Sequence, residues 1–73
     1  MIKRDFHNWK LTDAVQEIHS IVGSIRTSKK PMQVELITGN GVIKVVAMEI
    51  LESYKLVPVV RWGNSGTIDV VVE

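Results

Sequence analysis

The sequence predicts an α+β fold, a two-layer β-α-β-α-β-β sandwich with a four-stranded mixed sheet and two helices on one face. Three observations carry this. Segments of alternating polarity are interleaved with segments whose apolar residues recur at three-four spacing, and strand-helix-strand units of that kind form parallel pairs with right-handed crossovers. The second and fourth strands have a largely polar second face, whereas a sheet covered on both sides reads apolar on both. The last two strands are joined by a glycine-rich turn, the mark of a hairpin.

Ile2 to His7 reads as the first strand, with Ile2 and Phe6 on one face and Lys3, Asp5 and His7 on the other. Arg4 falls on the apolar face, which suits an edge strand from which a long stem reaches water. Leu11 to about Arg26 is the clearest helix: Leu11, Ala14, Val15, Ile18, Ile21, Val22 and Ile25 form one stripe. Thr12 is the expected cap, Asp13 suits the positive helix end, and Gly23 marks a point of expected fraying. Thr27 to Pro31 reads as a polar connection. Met32 to Ile37 is the second strand, with Met32, Val34 and Leu36 inward.

Thr38-Gly39-Asn40-Gly41 is a glycine-rich turn, and Val42 to about Tyr54 a second helix. That helix is rich in β-branched residues, and its length and polar positions favour helix over strand. Val57 to Trp62 is the third strand; Pro58 cannot donate to a ladder, so the strand starts there or lies at an edge. Gly63 to Gly66 is the expected hairpin turn, leading into Thr67 to Glu73, where Ile68, Val70 and Val72 point inward and Thr67, Asp69, Val71 and Glu73 outward.

The 73 residues leave room for one domain, residues 1–73, with a small core: a chain of this size buries only roughly 60% of its unfolded surface. There is no cysteine, and no apolar run approaches the roughly 20 residues that span a bilayer. No signal-peptide core follows the start, so the expected location is cytoplasmic, with no membrane partner. The net charge of +1, from nine Lys/Arg and eight Asp/Glu, means that any basic footprint is local.

Three parallel strands bring three loops to one sheet edge: His7-Asn8-Trp9, Thr38 to Gly41, and Trp62-Gly63-Asn64. Ligands of open α/β sheets bind at that edge. The turn of Thr38, Gly39, Asn40 and Gly41 ends where a helix begins, so its free amides and the positive helix end offer an anion site, with Lys44 one turn in. Equally, such a turn serves simply to reverse the chain. It is not a Walker loop, which needs Lys-Ser/Thr after the second glycine.

Asp5 and His7 point the same way from the first strand, and histidine there suits general acid–base work. Two ligands are too few for a closed metal site, so none is assigned; the sequence requires no cofactor and leaves room for Mg²⁺. Trp9 and Trp62 are candidates to stack on bases, and Lys10 and Arg61 to pair with phosphate. Lys29 and Lys30 belong to the opposite edge and read as a solvated turn; His19 reads as surface.

Asp5-Phe6-His7-Asn8, then Thr38-Gly39-Asn40-Gly41, then the ending Gly63 to Val72 stand in the order and spacing of a known family. The chain resembles a Smr (small MutS-related) domain across nearly its whole length. That family opens with a Leu-Asp-Leu-His-Gly-like segment and carries a His/Thr-Gly-x-Gly turn before its second helix. It closes with a glycine-rich hairpin into a Val-rich strand. The resemblance implies a fold like the C-terminal domain of translation initiation factor three. It also implies nucleic-acid binding, of DNA or RNA, and for several members nicking or endonuclease activity. The residues it implicates map to Asp5, His7, Thr38, Gly39 and Gly41. The departures are Asn8 for the glycine, Trp9 at an apolar position, and Lys10 where a Ser/Thr cap is usual. The alternative expectation is a non-catalytic protein-interaction module that self-associates through the second helix, which is apolar on more than one side.

Overall fold

The computed structural model describes residues 1–73. Its elements are β1 (Ile2–Asp5), α1 (Leu11–Ser28), β2 (Met32–Ile37), α2 (Val42–Ser53), β3 (Val59–Arg61) and β4 (Asn64–Val72). The four strands form one mixed sheet in the order β1-β2-β4-β3. β1 runs parallel to β2, and β4 runs antiparallel to both β2 and β3. The crossovers through α1 and α2 both step in the same direction across the sheet. Right-handedness then places both helices on one face, and the expected two-layer α+β sandwich results.

The register sorts the side chains. Ile2, Val34 and Val70 lie in one row, and Leu36 and Ile68 in the next, all on the helix side. Val34, Leu36, Ile68 and Val70 meet Ala14, Ile18, Ile21, Val22 and Ile25 of α1 and Ala47 and Leu51 of α2 in a single core of 14 buried residues, against which the half-buried Ile2 packs. Arg4 shares that face at the sheet edge and turns outward to pair with Glu17 of α1 at 2.8 Å. The other face carries Lys3, Glu35 and Asp69 in one row and has no helix over it.

α1 departs from expectation at both ends. Its cap position is Lys10, and Thr12 lies inside the first turn. An ammonium has no lone pair to offer an amide, so no side chain caps this helix. At the other end the helix runs through Gly23 to Ser28 without fraying. The Thr27 hydroxyl donates to the Gly23 carbonyl at 2.8 Å and that of Ser28 to the Ile25 carbonyl at 2.7 Å, so both residues serve the last turn rather than a loop. Lys29 ends it in the left-handed region, at φ 61°.

α2 ends on a Schellman motif. The Lys55 N–H donates to the Glu52 carbonyl and the Leu56 N–H to that of Leu51, with Lys55 at φ 66°. The motif turns Leu56 back into the core beside Leu51 and leaves Val57 exposed ahead of the strand, so β3 is shorter than Val57 to Trp62. Pro58 precedes β3 at the free edge, where no ladder donor is needed.

The hairpin turn is Trp62-Gly63, not Gly63 to Gly66. Arg61 pairs with Asn64, and Gly63 supplies the positive φ of 78° that a two-residue turn demands. Asn64, Ser65 and Gly66 belong to β4. Between the Arg61–Asn64 and Val60–Ile68 pairs the register shifts, and β4 bulges there toward the end of β2.

Candidate functional site

β1 and β2 end side by side, so the segments that follow them face each other. The Phe6 N–H donates to the Ile37 carbonyl at 2.9 Å, carrying the ladder one residue past β1. Phe6 is buried, and the chain then reverses: the Trp9 N–H donates to the Phe6 carbonyl at 3.0 Å. Asn8 makes the reversal with φ 64°. Asparagine tolerates that left-handed backbone better than most side-chain-bearing residues. The Trp9 ring stands edge-on to Phe6, with centroids 5.0 Å apart.

Asp5 and His7 are neighbours, though not in the expected way. Asp5 Oδ1 accepts the His7 backbone N–H at 2.9 Å, which braces the turn. The imidazole is exposed and bonded to no other side chain.

Opposite this turn stands Thr38 to Gly41. The carbonyl of Gly66, carried out by the bulge of β4, accepts the N–H groups of Thr38 at 2.8 Å and Gly39 at 3.1 Å. Those two amides are therefore spent, and the free donors lie further on, in the first turn of α2. Gly41 holds the cap position with no side chain bonded to the turn, leaving its orphan amides to solvent. Lys44 Nζ reaches back to Asn40 Oδ1 at 3.5 Å and brings a positive charge to the same end.

Between the two turns lies a cleft of about 320 Å³. Asp5, His7, Asn8, Thr38, Gly39 and Gly41 line it, with a wall of Phe6, Trp9, Ile37, Val42 and Ile43. Residues more than thirty positions apart in the chain thus share one concavity, with an imidazole on one side and a helix N-terminus on the other. The apolar wall from Val42 and Ile43 was not foreseen; their place straight after the glycine turn was its only signal.

Five other candidates stand apart from the cleft walls. Lys10 is exposed at the start of α1, and Lys44 and Asn40 flank the glycine turn. Trp62 projects from the hairpin tip, 98% exposed, and does not line the cleft. Arg61 is committed elsewhere. Its guanidinium donates to Asp69 through Nε and Nη2 at 2.9 and 2.7 Å, and to Glu35 through Nη2 at 2.5 Å, on the helix-free face. Asp69 and then Glu35 raise the Arg61 pKa further above its ordinary value. Arg61 in turn holds the Glu35 carboxyl below the usual range against the opposing effect of burial, with Lys3 at 3.5 Å assisting. Strand pairing was the missing signal here, because only the register sets Glu35 directly opposite Asp69.

No three His, Asp or Glu side chains converge on a metal-binding position, and no helix is long and apolar enough to cross a membrane. No family model matches the chain, and neither the curated proteins nor the solved structures hold a match to it.

Proposed function

We propose that the cleft is a nucleic-acid site of the Smr kind in a protein of the cytoplasm, with binding as its primary activity. The observation that carries this reading is the convergence of the two motif segments, Asp5 to Trp9 and Thr38 to Ile43, on one cleft. A phosphate would sit at the free amides of α2 near Lys44, and Trp9 would offer its ring to an unpaired base. Asn8 supports the reading as well, since it keeps the backbone shape that the family's glycine provides.

Cleavage is the second step of the same proposal. With RNA, His7 would take the proton of a 2′-hydroxyl as that oxygen attacks the adjacent phosphorus. The bond from phosphorus to the 5′-oxygen breaks, leaving a 2′,3′-cyclic phosphate, and the departing 5′-oxygen takes a proton from water to become a hydroxyl. Asp5 acts here by bracing the turn that presents His7.

The test is a gel assay with labelled single- and double-stranded RNA and DNA, with Mg²⁺ and with chelator. Cleavage by the wild type and not by His7→Ala supports a nuclease centred on His7. Retarded bands without cleavage support binding alone. The absence of both cleavage and retardation overturns the reading.

A competing reading is a protein-interaction module, favoured by one observation: Val42 and Val45 of α2 are 59% and 56% exposed. Light scattering that returns a dimer, abolished by Val45→Glu, would favour it.

A further inference from the structure

The net positive charge of this protein resides at the pole farthest from the cleft. Lys10 and Lys44 at the cleft edge are matched by Asp5 and Asp13. Lys3, Arg4 and Arg61 are bound to Glu17, Glu35 and Asp69. The remaining four of the nine cations, Arg26, Lys29, Lys30 and Lys55, gather where α1 and α2 both end. Only Glu52 and Glu73 oppose them there.

These cations line a trough. A concavity of about 220 Å³ holds Arg26, Lys29 and Lys30, and an adjoining one of about 340 Å³ holds Arg26 and Lys55. Arg26 and Glu73 border both, so the two lie side by side. Arg26 is fixed in place: it donates to the carbonyls of Tyr54 and Glu73 at 2.8 and 3.2 Å and lies over the Tyr54 ring. The three lysines are exposed and form no ion pair. Lys29 and Lys55 hold left-handed backbone, at φ 61° and 66°, where glycine or asparagine is the easier choice. Helix ends attract cations through their dipoles. That attraction asks for nothing concave, and Lys30 lies beyond the helix.

We propose that this trough is a docking surface for the phosphodiester backbone of single-stranded nucleic acid. It rests on the reading of the cleft as a nucleic-acid site and adds a second point of grip at the opposite pole. A concave surface that carries four cations, with apolar side chains between them, accommodates a single chain of phosphates. A bilayer surface, flat on this scale, does not enter it.

The experiment measures fluorescence anisotropy of a labelled oligouridylate across a KCl series. The variants are wild type, Lys29→Asn/Lys30→Gln/Lys55→Asn, and Trp9→Leu. Asparagine preserves the left-handed turns, and circular dichroism checks the fold. Three phosphate contacts account for a slope of about −2 in log affinity against log salt for a single strand. The triple variant is expected to lose that much slope and to bind roughly tenfold more weakly at moderate salt. Trp9→Leu is expected to weaken binding with the slope unchanged. A triple variant with wild-type slope, beside a weakened Trp9→Leu, overturns the trough and leaves the cleft standing. A lost slope with no effect of Trp9→Leu supports the trough and removes the cleft. Binding of the wild type to phosphatidylglycerol vesicles but not to the oligonucleotide overturns the proposal.

Discussion

Arg61 reaches across β4 to Glu35 on β2, and on the way binds both oxygens of Asp69. Glu35 and Asp69 are direct cross-strand partners, so without the guanidinium two carboxylates would face each other. Arg61→Met is therefore expected to lower the urea midpoint, and Asp69→Asn added to it to recover part of the loss. A double-mutant cycle in urea checks this, and strict additivity of the two losses would contradict it.

The same network sets an acid-side dependence. Glu35 is held below the ordinary carboxylate range when folded, so the unfolded chain binds its proton first as pH falls. Its contribution is fully present above the ordinary carboxyl value of about 4.3 and is lost as pH drops through the lower folded value. Urea titrations at a series of acid pH values are expected to show the midpoint falling in that window for the wild type. Glu35→Gln is expected to flatten the fall.

A Cβ at Gly66 would stand 3.1 Å from the Gly39 Cα, with backbone on the receiving side. Gly66→Ala is therefore expected to cost about 1–3 kcal/mol and to disturb the Thr38–Gly39 turn. Gly23→Ala, in open space within α1, is expected to stabilise by about 0.5–1 kcal/mol. Chemical denaturation of the pair provides the contrast, and the sign should differ between them.

Asn8 carries a backbone rule and not a side-chain one. Asn8→Gly is expected to leave stability nearly unchanged, whereas Asn8→Ala should cost about 1 kcal/mol for the left-handed φ. If Asn8→Gly raises cleavage substantially while leaving stability alone, the asparagine side chain obstructs the chemistry, and its role is more than conformational.

The two tryptophans separate optically. Trp62→Phe is expected to change stability by less than about 0.5 kcal/mol, because the side chain is 98% exposed. The emission that remains comes from Trp9, which is only 38% exposed and lines the cleft. Oligonucleotide added to Trp62→Phe protein is expected to quench it. Binding seen by anisotropy without any change in that emission would place the ligand away from Trp9.

Periodicity made most of the fold legible. β2 has the limits read from alternation, and of the stripe read from Leu11 to Ile25 on α1, Ala14, Ile18, Ile21, Val22 and Ile25 are buried, whereas Val15 is half-buried and Leu11 is exposed at the helix start. Local pattern failed where a distant partner decides the outcome. Asn64 to Gly66 read as turn by composition, yet pairing across the sheet draws them into a strand. Val57 read as strand, yet the motif that tucks Leu56 into the core leaves it outside. The cleft was legible as an edge and as two motifs. The fate of Arg61 was not, because charge along a strand says nothing about which charges stand across from it.

The Gly66 carbonyl, which fastens Thr38 and Gly39, belongs to the last strand of the chain. The far wall of the cleft is thus clamped only when β4 has joined the sheet. A nascent or truncated chain ending before β4 has both motifs and both helices but no clamp on the turn. Contacts of such long sequence separation form slowly and open together. The Thr38 and Gly39 amides are then expected to exchange hydrogen in step with β4, so the competence of the cleft reports that the whole sheet has closed.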